Sequence, residues 1–398
     1  MNQAALYISY DGMLEPLGQS QVLAYLEKLA VDRSIHLLSF EKKEDWARSE
    51  ECAALRARIE RAGIRWHPRR YHKRPSALAT AWDILVGMLS ALWLVLRYRI
   101  RIVHARSYVA AVMAWLVTCI TSARFVFDMR GFWADERVDG GLWPRDGRMY
   151  RVAKWFERRF LLSADHVVSL THAAVEKMQE FDYLQDRMPP VTVIPTCADL
   201  ERFVSIPGLR DADSFTLGYV GSVGTWYLFD EVIACFTLLR QLRPDARLLV
   251  VNRNEHAYIR ARLEAGGLPD GPVEIRAAAH SEIPQLMARM DAGIFFYRPS
   301  YSRAACSPTK LGEFLGCGIP CLSNSGVGDM AELLRKDGVG VAIDAMDAES
   351  LECGVEDLLA LCGQPGISRR CVDSARRHFS LEGGVCRYAS VYRQVVSS

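Results

Sequence analysis

Short runs of β-branched and aromatic residues alternate with helix-length segments along the whole chain, and this rhythm breaks once and restarts. In the first half the runs are ALYISY (5–10), IHLLSF (35–40), RIVHA (101–105), RFVFD (124–128) and HVVSL (166–170), separated by segments such as QSQVLAYLEKLA and SYVAAVMAWLVTCI. Parallel strands need connections of this length, because the chain must return to the same end of the sheet. The break lies within residues 183–213, which contain four prolines and no long periodic segment. The rhythm then resumes with FTLGYVGS (215–222), RLLVVN (247–252), VEIRA (273–277), AGIFFY (292–297), IPCLSN (319–324) and VGVAI (339–343). The pattern predicts an α/β chain of two doubly wound domains, 1–198 and 199–379, followed by a helix over 380–398 with Ser380 as its N-cap. Sheets of this kind bind ligands beyond the carboxyl ends of their strands, so the cleft between two such domains is the expected site.

A length of 398 residues suits two domains, each with its own core. A net charge of +2 argues against a surface built for nucleic acid, so no nucleic-acid partner is expected. The charge is nevertheless uneven. Residues 51–100 hold ten Lys/Arg against three Asp/Glu, and residues 301–350 hold four against seven. The eleven cysteines include no CxxC pair, and the nine histidines show no metal spacing, so neither a metal nor another cofactor is expected. MNQAALYISYDG lacks the basic and apolar regions of a secretory leader, which points to a cytoplasmic protein with reduced thiols.

The longest apolar run, ILVGMLSALWLVL (84–96), is thirteen residues, short of the roughly 20 a bilayer requires. It reads either as a buried helix packed on a sheet or as a helix touching a membrane surface. Arg69, Arg70, Lys73 and Arg74 precede it, a combination that suits an anionic membrane surface or an anionic lipid-linked acceptor. Peripheral membrane association is therefore expected.

The densest chemical signal is YRPSYSRAACSPTKLGEFLGCGIPCLSN (297–324). Ser307 and Pro308 are expected to open a helix, Ser307 as its cap, with Thr309, Lys310 and Leu311 in the first turn. Exposed amides at a helix start with a lysine one turn in make an anion site, for which a diphosphate is the natural guest. Glu313 lies on nearly the same face. A carboxylate there has no use for phosphate but can accept two hydrogen bonds from a ribose diol. The pair therefore reads as a nucleotide-diphosphate site.

SPTKLGEFLGCGIP resembles the donor-site helix of the retaining glycosyltransferases of family 4, in a Ser-Pro-Thr-Lys form. Other segments resemble that family in the same order: YISYDGMLEPLGQSQ (7–21) its first strand and glycine loop, VIPTCADLERF (193–203) its interdomain turn, LGYVGSVGTWY (217–227) the first strand of its nucleotide domain, and FSLEGGVCRYASVY (379–392) its closing helix. The resemblance implies the GT-B fold, with two Rossmann-like domains facing across a cleft and a last helix crossing back to the first. It also implies metal-independent transfer from a nucleotide sugar to a glycan or lipid-linked glycan. Gly18, Gly221, Ser222, Gly224, Ser307, Thr309, Lys310, Leu311 and Glu313 are the implied donor contacts.

Three departures stand out. Ala305 occupies the position of the first glutamate of the family's pair. GSVGTWYLFDE lacks the usual Arg and Lys, for which Arg253 is the favoured replacement, with Arg298 and Arg303 as others. No histidine follows RFVFD. Asp128 and Arg130 stand there as catalytic candidates beside Lys310, with Arg106, Asp135 and Glu136 as acceptor-side candidates. These departures keep two other readings open, a binding protein without catalysis and a nucleotide-sugar epimerase of the same architecture. DAD (211–213) lies in a linker and reads as a solvated turn.

Overall fold

The structure is a computed structural model that describes residues 4–72, 74, 76–206, 208–268, 271–279 and 281–397. The chain divides into two compact units, Met1–Pro195 with Leu381–Ser398, and Thr196–Ser380.

The strands of both units are counted among the described residues, and unit 1 holds seven, all parallel: β1 Ala5–Ser9, β2 Ile35–Glu41, β3 Arg65–Arg70, β4 Ile102–Arg106, β5 Arg124–Asp128, β6 His166–Ser169 and β7 Val191–Val193, in the order β3-β2-β1-β4-β5-β6-β7. β1, β2 and β4 are buried at every position, as expected of strands covered on both faces. The connections β1→β2→β3 carry α1 (Ala24–Leu29) and α2 (Ser49–Arg61). The connections β3→β4→β5→β6 run the opposite way and carry α3 (Ser76–Tyr98), α4 (Ser107–Thr118) and α5 (Arg148–Ser163). Right-handed crossovers place these two groups on opposite faces of the sheet.

α3 is longer than the apolar run had suggested. Its 23 residues include the segment before Ile84, whose small and polar residues obscure its helical character in the sequence. The stretch Ala77–Tyr98 is long and apolar enough to cross a membrane by length and composition alone, and a third of its most apolar 18-residue window is buried in the protein. Its inner face packs on the sheet through Ala79, Ala91, Leu94 and Val95. A Cβ on Gly87 would collide with Met113 and Phe40. Asp83, the only charge between residues 77 and 96, is buried and accepts hydrogen bonds from Tyr10 and His72. The outer face shows Leu78, Trp82, Leu85, Leu89, Trp93 and Leu96, a single helical stripe with exposures of 44–72%.

Unit 2 holds six parallel strands: β8 Thr216–Val220, β9 Arg247–Val251, β10 Val273–Arg276, β11 Ala292–Ile294, β12 Cys321–Asn324 and β13 Gly340–Ile343, in the order β10-β9-β8-β11-β12-β13. Strand order therefore reverses between β8 and β11. The helices of this unit include α6 (Phe229–Leu242), α7 (Thr309–Gly316) and α8 (Ile367–Phe379). Ala198 pairs with Ser380, so the chain enters and leaves this unit at adjacent points.

The last helix, α9 (Leu381–Ser397), belongs to unit 1. It packs on α1, β4 and β5. Tyr388 donates to Asp128 Oδ2 at 2.9 Å, and the Tyr392 hydroxyl lies 2.7 Å from His104 Nδ1.

Candidate active site

In unit 2, Lys310 and Phe314 are one helical turn apart and both face inward from α7. Phe314 stacks on Phe295, just past β11. The same face carries Lys310 to the carboxyl ends of β8 and β11, the point where strand order reverses and where open α/β sheets place their ligands. Lys310 is buried there in an aromatic box. Its Nζ lies 4.2 Å from the Tyr227 ring centre, 5.3 Å from that of Tyr219, 5.4 Å from that of Phe295 and 5.7 Å from that of Tyr297. Among the described residues the ammonium has no hydrogen-bond partner. Ring faces attract a cation but do not replace water, and burial accordingly lowers the Lys310 pKa to about 7 despite the opposing pull of Glu313. Burial raises Glu313 to about 7, against the pull of Lys310 and Arg202.

A second cation shares this aromatic cluster. The Arg303 guanidinium is buried 4.3 Å from the centre of the Trp226 ring and 5.9 Å from that of Tyr297. Arg303 is thus the arginine that the structure brings beside Lys310. Arg253 and Arg298, the other candidates for the missing loop charge, are exposed. Asn324, at the end of β12, fixes Tyr297 by accepting from its amide and donating to its carbonyl.

The glycine loop after β8 forms one wall. Gly221 has φ +118, a conformation that favours glycine, and a Cβ there would stand 3.0 Å from Lys310 Nζ and crowd the ammonium. Asn252 donates to the Gly221 carbonyl, and Glu255 accepts from the Val223 amide. Tyr219 donates to the Ser222 carbonyl. Gly224 packs close to Glu255.

Ser307 does not cap α7 as expected. Pro308 occupies the N-cap position in an extended conformation, and the Ser307 hydroxyl instead accepts the Thr196 amide at 3.1 Å. Among the described residues, the first-turn amides of Thr309 and Lys310 therefore have no side-chain cap, which keeps the helix start suited to an anion. Leu311 is buried in the core of unit 2.

In unit 1, Arg106, Asp128 and Arg130 come together at the carboxyl ends of β4 and β5, with His104, Tyr7, Tyr388 and Tyr392 around them. Asp128 is fully buried. Burial alone would raise its pKa, but Arg130, His104 and Arg106 hold it below the usual carboxylate range. Burial lowers the His104 pKa. Arg130, at φ +58, sits with Nη1 3.9 Å from Asp128 Oδ1, and Arg106 Nε lies 3.5 Å from Asp11 Oδ2. Asp135 belongs elsewhere. It is buried and accepts from Tyr150 and Lys154, and Lys154 also pairs with Glu157. Glu136 is half-buried on the same short helix. Gly18 packs against the Gly12 and Met13 backbone, where any side chain would collide. His104 gives no signal in the sequence because it lies mid-strand on β4 rather than after β5. Among the described residues, no group of three or more His, Cys, Asp or Glu could hold a metal ion.

Residues 21–197 match the family model for a glycosyl transferase 4-like domain, and residues 205–378 match that for glycosyl transferases group 1. Comparison with curated proteins gives no match. Among solved structures, the chain is similar to a glycosyltransferase from Rickettsia africae, with 14% identity over 99% of both chains and a TM-score of 0.74. It is also similar to HepE of Anabaena in complex with UDP and glucose, with 17% identity over 98% of this chain and 99% of that one and a TM-score of 0.67. A third is WaaG, a glycosyltransferase involved in lipopolysaccharide biosynthesis, with 15% identity over 96% and 98% of the chains and a TM-score of 0.63.

Proposed function

Since the chain is a glycosyltransferase with the GT-B fold, we propose that it moves a sugar from a nucleotide-diphosphate sugar held by unit 2 to a hydroxyl of a glycan or lipid-linked glycan, with retention of configuration and without a metal ion. The observation that carries this reading is the buried ammonium of Lys310 at the switch point, unpaired among the described residues, with Arg303 sharing the Tyr297 ring. When the bond from the anomeric carbon to the phosphate breaks, negative charge grows on the departing diphosphate. Lys310, Arg303 and the free first-turn amides of α7 meet that charge in a site already partly stripped of water. Glu313, one turn along, accepts the ribose hydroxyls. At the switch point of unit 1, between β1 and β4, Arg106 and Asp11 mark the acceptor side. All eleven cysteines are free thiols, which suits a cytoplasmic location. The test is a panel of nucleotide sugars with glycan acceptors. The reading requires a transfer product of unchanged anomeric configuration by NMR and activity that survives EDTA. Binding without turnover on every acceptor would overturn it.

Donor affinity is expected to peak near pH 7, because two groups titrate there in the free protein. Above pH 7 Lys310 loses its proton and must regain it to meet the diphosphate, so affinity falls by up to about tenfold per pH unit. Below pH 7 Glu313 gains a proton and can no longer accept from both ribose hydroxyls, so affinity falls again. The diphosphate of a nucleotide sugar does not titrate in this range. Calorimetry in buffers of different ionisation enthalpy will register proton uptake on binding at pH 8. Lys310→Arg flattens the alkaline limb, because a guanidinium keeps its charge.

Glu313→Gln is expected to weaken donor binding about tenfold and to flatten the acid limb, because the amide offers one acceptor where the carboxylate offers two. Titration of the variant with the same donor checks both effects. Wild-type affinity would remove Glu313 from the ribose.

A further inference from the structure

The outer stripe of α3 takes no part in donor binding. Its six large apolar residues lie outside the core, and no charge interrupts the helix between residues 77 and 96 except the buried Asp83. α4 packs on both α3 and α5, all three lie on one face of the sheet, and Trp115 of α4 meets Trp155 of α5 with ring centres 6.1 Å apart. α5 adds Met149, Val152 and Trp155, all exposed. The exposed charges on α3 and α5 themselves are of one sign. Arg148, Arg151, Arg158 and Arg159 on α5 are exposed, as are Arg97 and Arg99 at the end of α3 and Arg70 and Arg74 before it. The only acid of α5, Glu157, is buried against Tyr108 and Lys154. Lys73, expected from the sequence to join this basic rim, lies outside the described residues.

We propose that the outward faces of α3 and α5 form a docking surface for an anionic lipid bilayer, into which the α3 stripe inserts while the arginines engage the headgroups. An exposed apolar face of this extent marks an interaction surface, and the charge complementarity selects anionic lipid. A second copy presenting the same face would set arginine against arginine across a two-fold axis. α3 does not span the bilayer in the folded protein, because its other face is core. Removal would expose Asp83 and strip Gly87 from Met113 and Phe40. The helix therefore lies along the membrane surface, as interfacial helices do.

The test is co-sedimentation of the full chain with phosphatidylcholine vesicles and with vesicles carrying about 30% phosphatidylglycerol. Wild type is expected to pellet with the anionic vesicles and to be released by alkaline carbonate. Leu89→Ser/Trp93→Ser is expected to weaken partitioning at least about tenfold, and Arg148→Ser/Arg151→Ser to weaken it on anionic vesicles several-fold. Both pairs are exposed, so an unchanged melting temperature and unchanged thermal shift with a nucleotide sugar confirm intact folding and an intact donor site. Equal pelleting with both vesicle types, variants that bind like wild type, or resistance to carbonate would overturn the proposal. So would a dimer in light scattering that Leu89→Ser dissolves. None of these outcomes bears on sugar transfer, which is read independently by product formation.

Discussion

Lys310→Ala is expected to lower kcat/KM for transfer at least about a hundredfold, equivalent to about 2.7 kcal/mol of transition-state stabilisation. The size follows from the setting. Removing a cation that meets developing charge costs most where water cannot replace it, and the Lys310 ammonium sits among four aromatic rings. Arg303 and the α7 amides retain part of the function, so the loss is not total. Lys310→Arg restores charge but not shape, because a planar guanidinium is larger than the ammonium that the four rings enclose. It is expected to recover only part of the rate. Steady-state kinetics on both variants, with donor affinity measured separately, divide the effect between binding and chemistry. A Lys310→Ala enzyme with wild-type kcat/KM would dissociate the aromatic box from the reaction.

Asp128→Ala is expected to act chiefly on stability. Asp128 is buried, accepts from Tyr388, and faces His104 and Arg130. Its removal leaves the Arg130 charge without its carboxylate and releases one anchor of α9. Breaking a buried ion pair on one side costs about 3–5 kcal/mol, which in a unit of this size lowers the melting temperature by roughly 10 °C. Tyr388→Phe removes only one hydrogen bond and should cost about 1–2 kcal/mol. The double variant should fall short of the sum, because both changes release the same anchor. If instead Asp128→Ala melts like wild type but transfers sugar hundreds of times more slowly, the carboxylate belongs to the chemistry.

What could be read from the sequence followed the range of the interactions. The buried strands β1, β2, β4, β5 and β6 show as predominantly apolar runs because both of their faces are covered. β3 (RWHPRR) and β7 (VTV) gave no such signal. Both are edge strands, half-exposed, and β3 tolerates Pro68 because an edge can leave one ladder position open. Lys310 and Glu313 were legible because one helix sets their spacing. The box around Lys310 was not, since Tyr219, Tyr227, Phe295 and Tyr297 come from separate segments that only the sheet brings together. Arg303 ranked behind Arg253 for the same reason. Asp128 was visible as a charge after a strand, but its partner Tyr388 lies 260 residues away.

That separation orders events during synthesis. Thr196–Ser380 is contiguous in sequence, so unit 2 has every residue of its core within one stretch of chain. The first 195 residues emerge earlier but lack Tyr388 and Tyr392, whose contacts with Asp128 and His104 close over 260 and 288 residues. Amino-terminal domains usually mature first, but unit 1 cannot close these contacts until α9 has been made. The buried polar groups of β4 and β5 therefore wait for α9 to cover them.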